Sequence, residues 1–146
     1  MKMSRTQKVL FIILAAAIVI CTGAIIWLSV LSNTADRFTE FYILNSQGKA
    51  SGYPTDVKTG ELVTVILGVV NHEGRTAEYS IRVISDNKTI QTVELAAADG
   101  ATWENTFTFT LGQAGQNQRV EFYLYMSGEN TPHIKDPLVL ALNVSR

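Results

Sequence analysis

The chain has 146 residues, is 47% hydrophobic, and carries 12 basic against 13 acidic residues. That length suits one domain, and a single cysteine excludes an intramolecular disulfide. The basic residues cluster at the start, leaving nine basic and 13 acidic residues over 32–146, a balance that excludes nucleic acid and anionic head groups as partners of that portion.

Residues 9–31 (VLFIILAAAIVICTGAIIWLSVL) hold no charged side chain. As a helix these 23 residues extend about 34 Å, enough to cross a bilayer core of roughly 30 Å. Trp27 falls near one end, where an amphipathic ring suits the interface. The run is longer than the apolar part of a cleaved signal peptide, and Ile20 before Cys21 does not fit a lipoprotein site, so an uncleaved signal anchor is expected. Lys2, Arg5 and Lys8 precede it without an acid among them. The positive-inside bias then keeps residues 1–8 in the cytoplasm and sends the C-terminal domain outside the cell membrane.

Residues 32–38 (SNTADRF) read as a linker, and from 39 the period changes to two. Seven strands are predicted, near 39–44, 62–70, 77–85, 89–95, 101–111, 119–126 and 138–144. Residues 45–60 carry repeated Gly and Pro and read as a long loop. The clearest alternation is ATWENTFTFTL, with Trp103, Asn105, Phe107, Phe109 and Leu111 on one face. Seven short strands separated by turn signals predict an all-β domain over 39–146, an immunoglobulin-like antiparallel sandwich preceded by one transmembrane helix.

TEFYIL, the GYPTDVKTGE loop and the GVVNHEG…Y corner, all within residues 39–83, carry a family likeness. They resemble the family described as domain of unknown function 1616, known from archaea and some bacteria. The resemblance implies a membrane-anchored protein with an extracytoplasmic domain, and it implies no activity. Longer relatives place several membrane helices before this domain.

Asn71-His72-Glu73-Gly74 poses a choice between site and corner. A zinc site of the HExxH type needs a second histidine on the same helix, but Thr76 stands there and the period is that of a strand. The stretch therefore reads as a turn, with Gly74 supplying positive φ and His72 and Glu73 exposed at its tip. His133 and Asp136 in the last loop join His72 and Glu73 only if the two loops share one end of the sandwich. Asp56 and Glu61 are the remaining acid pair a glycosidase would require. Asn87 (NKT) and Asn143 (NVS) are candidate N-glycosylation sites. Tyr42, Tyr53, Tyr123 and Tyr125 fall on outward positions, and an interaction surface is expected to draw on Tyr53, His72, Glu73, Tyr123 and Tyr125.

No catalytic, metal-binding or cofactor-binding residue is assigned. The sequence reading is a non-enzymatic binding or structural module, or an accessory subunit of a membrane or cell-envelope complex. Its partners are membrane lipid through 9–31 and another membrane or surface protein, with carbohydrate as a further ligand class. A carbohydrate-handling or envelope-assembly enzyme is the alternative, and a pilin-like filament subunit the third reading.

Overall fold

The computed structural model describes residues 5–31 and 37–146. Residues 1–4 and 32–36, with Lys2 and most of the expected linker, lie outside the described residues. Two units result, an N-terminal helix and a compact domain over Arg37–Arg146. Helix α1 spans Arg5–Leu31 and is long and apolar enough to cross a membrane. Its large apolar side chains, such as Leu10, Ile20 and Ile26, are exposed. Thr22 donates its hydroxyl back to the carbonyls of Ile18 and Val19, which satisfies that group within the helix.

The domain is built from eight strands: β1 Phe38–Asn45, β2 Asp56–Lys58, β3 Val63–His72, β4 Ala77–Ser85, β5 Lys88–Ala97, β6 Thr102–Phe109, β7 Gly115–Met126 and β8 Leu138–Ser145. They form two sheets, ordered β1-β3-β6 and β2-β8-β7-β4-β5. All pairings are antiparallel except β2 with β8. β2 corrects the seven-strand expectation. It has one buried apolar residue, Val57, and adds alongside the end of β8 over three residues, too short to leave a periodic trace. The chain thus starts in one sheet and changes to the other through residues 46–55.

That change of sheet is held by Asn45, which is buried. Its Oδ1 accepts from the backbone N–H groups of Gln47 and Lys49, and its Nδ2 donates to the Ser51 carbonyl. Asparagine suits the post because its amide carries both donors and an acceptor. Tyr53 then donates its hydroxyl to the Ile43 carbonyl and packs on the core.

The core is built from alternate residues of the facing strands. Val63, Val65, Leu67 and Val69 of β3 face Tyr79, Ile81 and Val83 of β4, Val120, Phe122 and Leu124 of β7, and Leu140, Leu142 and Val144 of β8. Phe122 meets Phe107 and Phe109 edge-on across the two sheets at centroid separations of 6.0 and 6.3 Å. Such offset contacts add to area burial by about 0.5–1.5 kcal/mol each. Trp103 is half-buried, and Asn105, although on the inward face, is exposed, because the sandwich opens there between β5 and β6.

Candidate functional site

The Asn71–Gly74 corner is a buried polar bracket. β3 continues to His72, so the inward parity of Val65, Leu67 and Val69 passes on to Asn71 and then to Glu73. Glu73 is 8% exposed, which corrects the expected position at an exposed tip. Gly74, at φ 72°, makes the turn itself, and its N–H donates to Asp99. Asn71 is fully buried. Its Nδ2 donates to the carbonyls of Arg75 and Ala97, and its Oδ1 accepts from the Glu73 N–H.

Two other elements converge on the Glu73 carboxylate. Thr39 of β1 donates its hydroxyl to Oε1 at 2.8 Å, and His133 of the β7–β8 loop approaches the same oxygen through Nε2 at 3.1 Å. Thr39 has one proton to give and commits it there, so Tyr79, 2.9 Å away, donates to Thr39. Tyr79 is 1% exposed, and burial pushes its phenol up from the ordinary range. The other ring nitrogen of His133, Nδ1, faces Glu129 Oε2 at 3.1 Å. A carboxylate thus faces each nitrogen of the ring, and the imidazole bridges the two acids. The bracket ties the last loop to the β3–β4 corner and to the first strand. It is not a metal set, because the two acids sit on opposite sides of one imidazole. Among the described residues no group of three or more metal-type side chains forms one.

The grouping of His72, Glu73, His133 and Asp136 is thus half realised. Glu73 and His133 meet; Asp136 stays exposed, and Glu129 takes the position beside the ring. His72 points to the other face of its sheet, stacked on Phe38 at 4.5 Å and 3.0 Å from Glu40. Thr39, Tyr79 and Glu129 were missed. The strand parity running through Asn71 and Glu73 is the signal that would have placed two members of the network inside. Asp56 and Glu61 are each used locally. Asp56 accepts from Asn143 and Thr55, the first of which does most to hold its carboxyl below the usual range, and Glu61 accepts from the Lys58 N–H.

The tyrosines expected at a contact surface are largely engaged within the domain. Tyr53 braces the crossover between sheets. Tyr123 donates to Glu121, which raises its phenol, and the Arg82 guanidinium lies 4.1 Å above the Tyr125 ring. Tyr42 lies across its sheet and donates to Glu104 at 2.7 Å; burial, then the Glu104 contact, push its phenol up to about 12. A phenol raised on folding stabilises fully below its unfolded value near 10 and loses that contribution as pH climbs through about 12. Denaturant midpoints measured from pH 9 to 12 should therefore fall less steeply in Tyr42→Phe than in the parent, while Tyr79 and Tyr123 preserve part of the slope.

Of the two sequons, Asn87 stands exposed at the β4–β5 hairpin tip, where Asp86 and Asn87 both take positive φ (50° and 59°). Asn143 has both ends of its amide engaged: Nδ2 donates to Asp56, and Oδ1 accepts from the Asn117 N–H.

The sandwich is similar in fold to the CARDB domain of a Pyrococcus furiosus protein, crystallised in complex with di-metal ions. The TM-score is 0.53 at 16% identity, over 74% of this chain and 93% of that one. The solution NMR structure of that domain gives 0.51 at 16% identity, over 73% and 95%. A β-glucosidase from Listeria innocua aligns at TM-score 0.48 and 14% identity, over 75% of this chain and 16% of the enzyme. The CARDB likeness supports an immunoglobulin-like β-sandwich. No curated protein matches the chain in sequence. The family model described as Domain of unknown function (DUF1616) matches residues 32–144, and the chain belongs to that family.

Proposed function

We propose that this protein is a single-pass, membrane-anchored, non-enzymatic binding module whose sandwich lies on the extracytoplasmic side and engages another membrane or surface protein. The charge pattern supports the topology: three basic residues before the apolar run 9–31, an acid-rich domain after it. The observation that carries the binding role is the open side of the sandwich. β6 ends one sheet and β5 ends the other. Between them lies a cleft of about 200 Å³ floored by Leu67 and Phe107 and flanked by Val93 and the half-buried Trp103. Strand edges present unpaired backbone donors and acceptors, the usual route by which a partner segment adds to a sheet.

The sidedness is directly measurable because Cys21, within the helix, is the only thiol. Lys135→Cys, at an exposed loop position, should react with a membrane-impermeant maleimide on intact cells. Labelling only after lysis would place the sandwich in the cytoplasm and remove the proposal.

A further inference from the structure

Unpaired sheet edges invite association, and proteins blunt the ones they do not use. The edges here are β1 and β6 of one sheet, β2 and β5 of the other. On β1 the Ile43 carbonyl takes the Tyr53 hydroxyl. β2 is only three residues long, and β5 is bent by a register shift opposite Val83 and Ile84 and carries Lys88 and Glu94. β6 has none of these devices: its pairing with β3 runs without a shift from Thr102 to Phe109, and it holds neither proline nor a basic residue. The Asn71 N–H donates to the Ala101 carbonyl, so by alternation the odd-numbered residues of β6 bond to β3. The backbone groups of Thr102, Glu104, Thr106 and Thr108 therefore face away from β3, along the free edge. Asn105 lies between Trp103 and Phe107 on the inward face, is exposed, and among the described residues its amide has no partner.

We infer that β6 pairs antiparallel with β6 of a second copy, about a two-fold axis through Asn105. This register sets Asn105 against Asn105, Trp103 against Phe107, Glu104 against Thr106 and Thr102 against Thr108 of the other copy. The even-numbered residues carry the backbone hydrogen bonds. The odd-numbered pairs are then the close ones, with Cα atoms about 4.5 Å apart. A carboxamide is its own complement, since two of them exchange N–H···O bonds across a two-fold axis. On either side of that pair an indole packs against a phenyl ring. The neighbouring registers lack this fit. Centred on Thr106, the pairing sets Asn105 against Phe107 and leaves the amide facing a ring; centred on Glu104, it opposes two carboxylates. Glu104 is the one ionised side chain of β6, and the Tyr42 hydroxyl engages it from the β1 side of the sheet. The inference rests on reading the open side as a binding surface, and it names a second copy as the partner there.

The test uses the full-length chain in native membranes with Cys21→Ser, so that an introduced cysteine is the only thiol. Asn105→Cys should form an intermolecular disulfide on mild oxidation, because Cα atoms about 4.5 Å apart suit that bond. Thr106→Cys, the axis residue of the shifted register, should cross-link at least about tenfold more slowly, since its two copies do not stand opposite each other. Asn105→Asp changes an exposed side chain and sets two carboxylates together on the axis. In detergent at neutral pH it should convert the dimer seen by light scattering into a monomer, with the circular dichroism of the parent. No disulfide at Asn105→Cys, equal cross-linking at the two positions, or an Asn105→Asp protein as dimeric as the parent would each overturn the inference. Those results would leave the open side to a different protein, and maleimide labelling at Lys135→Cys is read independently.

Discussion

Asn71→Ala should lower the unfolding free energy of the sandwich by about 4 kcal/mol, more than any other single change in the corner. The side chain is fully buried and makes three hydrogen bonds, two donated to the carbonyls of Arg75 and Ala97 and one accepted from the Glu73 N–H. Alanine removes all three bonds at once, at about 1–3 kcal/mol each before relaxation. Asn71→Asp keeps the acceptor but loses both donations and adds a charge beside Glu73, so it should be no milder.

Along the same four residues the expected cost varies steeply. Glu73→Ala should lose about 3 kcal/mol, because Thr39 and His133 both lose their acceptor inside the fold. Glu73→Gln keeps an oxygen for Thr39 and should lose about 1 kcal/mol. His72→Ala should change stability by less than about 0.5 kcal/mol, since its contact with Glu40 is a surface pair. Urea titrations followed by Trp103 fluorescence in a Trp27→Phe background would rank these five substitutions. An equal cost at His72 and Glu73 would mean that the corner is solvated and that no bracket forms.

This ranking also shows where the sequence is legible. Tyr79 to Val83 and Val120 to Met126 announce their inward faces, because side chains of one parity are apolar and the sheet has one dry side, whereas the continuous apolar run of β3 does not. The same parity holds at Asn71, Glu73 and Ser85, yet polar residue types hide it: an inward asparagine and an outward one look alike until their partners are known. Those partners, Arg75, Ala97, Thr39 and His133, come from four different segments, and only the fold brings them together. β2 was unreadable for another reason: one buried valine carries no period. The turn chemistry of Gly74 was readable, since positive φ narrows the choice of residue whatever surrounds it.

Gly68→Ala tests a second relation that sequence alone does not show. Gly68 is mid-strand in β3, paired with Tyr42 of β1 on one side and Glu104 of β6 on the other. A methyl group at Gly68 would fall 2.1 Å from the Tyr42 Cζ, so the ring lies directly over the glycine on its way to Glu104. One phenol thus spans all three strands of the sheet, and the glycine is small because the ring needs the room. Gly68→Ala must push the ring aside and break the bond to Glu104, an expected loss of about 2 kcal/mol. In a Tyr42→Ala background the same substitution should be neutral or stabilising by up to about 1 kcal/mol, because alanine costs less backbone entropy than glycine in a strand. The two changes should therefore couple strongly in a double-mutant cycle. Gly68→Ala should also flatten the loss of stability between pH 10 and 12, since the displaced phenol gives up the burial and the Glu104 contact that hold it near 12. Additive stabilities, or an unchanged alkaline slope, would show that the ring does not rest on Gly68.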